Sequence, residues 1–136
     1  MHARRAILVV TAVSFATIDL LHKAVTTSDF HHARTPYVTF VIAALIVTLA
    51  ILVPMLPSNL AALGAGVACG GALGNLVSLL TWSRGVPDPF VVVGATHGLA
   101  FNLADVFAVA GDALLLSAVF VLGLRQRATL RERVRA

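Results

Sequence analysis

The chain has 136 residues, 59% of them hydrophobic and 12% charged, with a mean hydropathy of +0.94. A soluble domain carries roughly 25% charged residues, so a water-soluble fold of this length would expose too much apolar surface. The net charge of +4 implies no nucleic-acid partner, because the arginines flank apolar segments, where membrane proteins keep them. The composition indicates an all-α integral membrane protein, one four-helix domain over residues 1–136 that contacts membrane lipids.

Four apolar segments reach the roughly 20 residues that a bilayer-spanning helix takes. They lie near 6–25, 37–56, 60–82 and 101–124. The first follows "HARR" and has the look of a secretory signal. No small-residue cleavage site follows it, and Asp19 and Lys23 interrupt its far end, so it is expected to remain as a helix. Asp19 and Lys23 stand four residues apart, on one helix face, where they can pair and neutralise each other. The connection from Thr26 to Pro36, "TTSDFHHARTP", is short. Pro54 and Pro57 bracket the end of the second segment, and "PSN" at 57–59 turns the chain into the third.

The third segment holds "GGALGN", Gly70 to Asn75, directly after the lone Cys69. Glycines in a membrane helix let another backbone or a substrate approach closely, and a buried amide needs a partner. Asn75 is therefore helix glue or part of a site. One cysteine excludes a disulfide framework, and Cys69 reads as packing. The stretch from Ser83 to Ala100 is punctuated by Gly85, Pro87 and Pro89, then turns β-branched at Val91 to Val93, with bends offered by Gly94 and Gly98. It is expected to be part strand and part loop, on the outer surface or folded over a site.

Arg4 and Arg5 precede the first segment, and Arg125, Arg127, Arg131, Arg133 and Arg135 follow the last. Only Arg34 and Arg84 fall in the connections on the other side. This bias places both termini in the cytoplasm, with 125–136 as a basic cytoplasmic tail near anionic lipid. Asp19, Asn75, Asp88, Asn102 and Asp105 then converge at one level toward the outer face, and convergence of buried polar groups is the main sign of a site. Asp112 lies seven residues beyond Asp105, about 10 Å deeper, and is expected to be neutral and structural. Two close carboxylates share one proton. One then activates a water while the other polarises a carbonyl or serves a leaving group.

Four stretches, taken in order, resemble the lipoprotein signal peptidase (signal peptidase II) family. "DLLHK", Asp19 to Lys23, resembles the family's Asp-Gln-x-x-Lys at the end of its first helix. "GGALGNL", Gly70 to Leu76, resembles its third-helix motif, "VPD", Val86 to Asp88, its Val-x-Asp, and "FNLAD", Phe101 to Asp105, its Phe-Asn-x-Ala-Asp. The resemblance implies a multi-pass aspartic endopeptidase of the bacterial inner membrane. Such enzymes cut prolipoproteins on the amino side of a diacylglyceryl-modified cysteine at the extracytoplasmic face. It implies Asp88 and Asp105 as the catalytic pair. Asp19, Lys23, Gly71, Gly74, Asn75, Val86, Asn102 and Ala104 would bind substrate or support the site, with no metal and no cofactor.

Two departures stand out. Ser78 and Leu79 occupy positions where the family has an Asp-Arg pair, and the Asn-x-Gly-Ala-Ala-Phe motif between helices one and two has no counterpart. Three readings follow. The first is a minimal lipoprotein signal peptidase. The second is a non-catalytic paralogue that binds lipid or lipopeptide, or a small subunit with another membrane protein as partner. The third is a zinc or copper protein using His31, His32 and His97 beside the outer acids.

Overall fold

The computed structural model describes residues 1–33, 35–93 and 98–135, with side chains to Thr129. Arg34, Gly94 and His97 lie outside the described residues, as do the side chains of Arg131, Arg133 and Arg135. Among the described residues, four helices are long and apolar enough to cross a membrane. They are α1 (His2–Val25), α2 (Pro36–Leu52, continued by a 3₁₀ turn at Val53–Met55), α3 (Asn59–Thr81) and α4 (Leu103–Arg135).

Local chemistry sets these bounds. Pro36 opens α2 at a first-turn position, where its missing N–H costs nothing. Ser58 caps α3 by accepting the Ala61 N–H at 3.1 Å. The fourth helix differs from expectation at both ends. Phe101 belongs to a strand and Asn102 is the cap, so α4 begins at Leu103. It then runs through the arginine-rich stretch to Arg135, because no Gly or Pro follows Gly123 and Arg, Gln, Ala, Leu and Glu are good helix formers.

Two small strand pairs qualify the all-α expectation. β1 (His31–His32) lies in the connection between α1 and α2, which the sequence reading left as loop. It pairs antiparallel with β2 (Val86–Pro87), His32 opposite Val86. β3 (Phe90–Val93) and β4 (Gly98–Phe101) pair antiparallel, Phe90 opposite Phe101. The Ser83–Ala100 segment is thus part strand, as its β-branched run suggests. Asp88 sits between β2 and β3, and Asn102 directly follows β4, so both lie at the root of the β3–β4 pair.

α3 is the central helix, packed mainly on α1 and α4, while α2 buries none of its own residues. At one end Leu8, Val53, Ala61, Ala65, Leu115 and Ala118 form an apolar core. At the other end the buried polar and charged groups gather: Asp19, Lys23, Ser78, Asp88 and Asn102. Close approach there depends on Gly71, against whose Cα lie the backbone O of Ala104 and N of Ala108 on α4. Any side chain at 71 would drive the two helices apart.

Candidate active site

A continuous chain of hydrogen bonds crosses the polar end from α1 to α3, α4 and the β2–β3 connection. The Lys23 ammonium donates to Asp19 Oδ2 at 2.7 Å and to Asn75 Oδ1 at 2.8 Å. Asn75 Nδ2 donates to Asp105 Oδ1 at 2.9 Å. Asn102 and Asp105 cap α4 reciprocally: Asp105 N–H donates to Asn102 Oδ1 at 3.2 Å, and Asn102 N–H to Asp105 Oδ2 at 3.0 Å. Asn102 Nδ2 then donates to Asp88 Oδ1 at 2.7 Å. The Asp19 side chain closes the chain back onto α4, where its Oδ1 accepts the Ala104 N–H at 2.9 Å.

Donor and acceptor capacity fixes the direction of this chain. An ammonium only donates, so Asn75 turns its carbonyl oxygen to Lys23 and its amide nitrogen to Asp105. The Asp105 N–H claims the carbonyl of Asn102, which leaves the amide nitrogen for Asp88. Asp105 thus accepts at both oxygens and Asp88 accepts at Oδ1. Asp88 Oδ2 contacts His32 Nδ1 on β1. Asp19, Asp88 and Asn102 are at most 1% exposed, whereas the His32 side chain is 66% exposed.

An open groove of about 690 Å³ adjoins Asp105. Its walls include His32, Leu99 and Phe101, and Val109 and Ala113 continue it down α4. Asp105, Val109 and Ala113 recur every four residues on one helix face, a stripe of about 12 Å. The polar end therefore pairs two linked carboxylates with an apolar trough running along the span.

A family model described as signal peptidase (SPase) II matches residues 7–121. The chain belongs to the signal peptidase II family. The lipoprotein signal peptidase of Streptomyces coelicolor is 38% identical to it over 89 residues, 64% of this chain and 44% of that relative. The match therefore spans less than half of the relative's length.

Each residue implied by resemblance to signal peptidase II has a place in the arrangement. Asp19, Lys23, Asn75, Asp88, Asn102 and Asp105 form the hydrogen-bonded chain itself. Val86 is buried in β2 opposite His32, and Ala104 is buried with its N–H on Asp19. Gly71 and Gly74 lie in the helix contacts, Gly74 directly against the Asp19 carboxylate. The Asp19–Lys23 pair neutralises itself, and through Asn75 it also reaches Asp105.

At the signal peptidase II Asp-Arg positions, Ser78 donates to its own helix at Gly74 O, 2.7 Å away, and Leu79 is buried. Neither supplies a charge. Cys69 is buried and free. Asp112 is exposed on α4 and makes no hydrogen bond among the described residues, so it lacks the structural partner expected for it. Among the described residues no cluster of three or more His, Cys, Asp or Glu is placed to hold a metal ion. His32 is the site neighbour that sequence reasoning put only among metal ligands. Its contact with Asp88 depends on the pairing of two strands of two residues each, too short to leave a periodic signal.

Proposed function

We propose that the chain is a lipoprotein signal peptidase, a membrane aspartic endopeptidase acting on diacylglyceryl-modified prolipoproteins. The observation that carries this reading is the Asn102 side chain, which joins Asp88 and Asp105 and sets the direction of every hydrogen bond between them. Asp105, accepting at both oxygens, is the carboxylate that takes a proton from the attacking water. Asp88 carries the proton that polarises the scissile carbonyl and then serves the leaving nitrogen. Asp19, Lys23 and Asn75 hold Asp105 in place from α1 and α3. The apolar groove along α4 accommodates an acyl chain of the substrate, bringing its modified cysteine to the acids.

In this reading residues 1–136 act as one four-helix unit of the bacterial plasma membrane. Both termini and the basic stretch 125–136 lie in the cytoplasm, and the acids open to the extracytoplasmic face. The positive-inside arrangement of the arginines supports that orientation. The uncharged Ser78 and Leu79 favour a second reading, a paralogue that binds lipopeptide in the groove without cutting it.

Turnover separates the two. The purified protein in bilayers is given excess diacylglyceryl prolipopeptide, beside Asp88→Asn and Asp105→Asn. The peptidase reading expects many product molecules per native chain and none from either variant. Stoichiometric binding without product, equal in all three proteins, selects the binding reading.

A further inference from the structure

Of the four carboxylate oxygens of the pair, Asp88 Oδ2 is the one to which the Asn75–Asp105–Asn102 network brings no N–H, and that atom faces His32 Nδ1. We infer that His32 is a positioning residue for Asp88: its ring N–H donates to Oδ2 and so fixes the Asp88 carboxyl plane, leaving the proton of the acid pair to serve the substrate. The inference rests on the peptidase reading of the site.

The surrounding backbone is built to deliver this contact. His32 pairs with Val86 across β1 and β2, and the Asp88 N–H donates to Phe30 O at 2.9 Å, so the two segments grip each other on both sides of the contact. Gly85, at φ 97°, turns the chain into β2 with the His32 carbonyl against its Cα. A side chain there would meet that carbonyl, and positive φ favours glycine.

Chemistry supplies the reason. A catalytic carboxylate loses rate when it can rotate, and its supporting partners keep it aimed. Asn102 holds Asp88 by one oxygen only, which leaves rotation about that bond free. His32 holds the other oxygen. In this chain Leu79 offers no charged support from α3, and the imidazole reaches Asp88 from β1. His32 also lines the groove with Asp105, so bound substrate shields the His32–Asp88 contact from water.

The test uses the full-length protein and a diacylglyceryl prolipopeptide. His32→Ala is expected to lower kcat by up to about 100-fold, the cost of letting a reacting group drift out of place, with KM within about twofold. His32→Asn, whose Nδ2 falls where Nδ1 was, is expected to recover most of kcat. The native chain cutting while His32→Ala keeps the native kcat overturns the role and leaves the peptidase reading standing. So does a folded His32→Asn that is no faster than His32→Ala.

A spectroscopic arm does not depend on turnover. The His32 imidazole nitrogen resonances, assigned by their loss in His32→Asn, are expected to move in Asp88→Asn. If the native chain cuts nothing, the peptidase reading and the catalytic role fall together. An Nδ1 resonance unmoved by Asp88→Asn removes the contact itself.

Discussion

Lys23→Met removes the cation at the head of the hydrogen-bond chain while keeping a side chain of similar length. Lys23 and Asp19 are both wholly buried, 2.7 Å apart. Without the ammonium, Asp19 keeps the Ala104 N–H on Oδ1, but Oδ2 faces Gly74, which has no side chain to offer. Leaving one member of a buried ion pair alone costs about 3–5 kcal/mol. Asn75 Oδ1 also loses its donor, and since Asn75 is half-buried beside the groove, that adds only about 1 kcal/mol. The expected loss is therefore about 4–6 kcal/mol. In the double variant Asp19→Leu/Lys23→Met no charge is stranded, and the main loss is the acceptor for Ala104 N–H, about 1–3 kcal/mol. The double variant should be no worse than either single one, so the two losses fall far short of adding. Reversible unfolding in mixed micelles, followed by circular dichroism, measures all four corners of the cycle. Lys23→Met within about 1 kcal/mol of the native protein, with additive effects, would refute the claim that this pair is a buried, mutually dependent unit.

Asn102→Ala removes the α4 cap, worth about 1 kcal/mol, and cuts the link between the acids. Cleavage is expected to fall about 100-fold or more, well beyond what the modest shift in the unfolding curve explains. Gly71→Ala sets a methyl against the α4 backbone at Ala104 and Ala108. It should cost about 1–3 kcal/mol by overpacking and slow cleavage as Asp105 moves with its helix, both read from the same preparations. Ser78→Ala should change stability by no more than about 0.5 kcal/mol, because its hydroxyl bonds only to its own helix; the same unfolding assay reads it.

Much of the site is legible in the sequence because helix geometry is regular. The four-residue spacing of Asp19 and Lys23 predicts their pairing, and counting along the helices places Asn75 and Asp105 at the same level. Asn102 and Asp105, three residues apart, form a capping box that also explains why α4 starts at Leu103 and not at Phe101. The roles of Gly71 and Gly74 depend on which neighbours approach them, and no local pattern reveals that. β1 is harder still. Two histidines in a short connection carry no alternation, and their partner strand comes more than fifty residues later. Neither propensity nor periodicity links His32 to Asp88, so that contact emerges only from the folded chain.

Whether the chain cuts at the lipid-modified cysteine is read most directly from the mass of the product. The native protein in bilayers is incubated with a diacylglyceryl prolipoprotein, beside Asp88→Asn, and the intact products are weighed. A fragment beginning at the lipid-modified cysteine is expected from the native chain, and uncut substrate from the variant. The same fragment from both, or uncut substrate from both while a Streptomyces coelicolor lipoprotein signal peptidase cuts in the same bilayers, would contradict the peptidase reading.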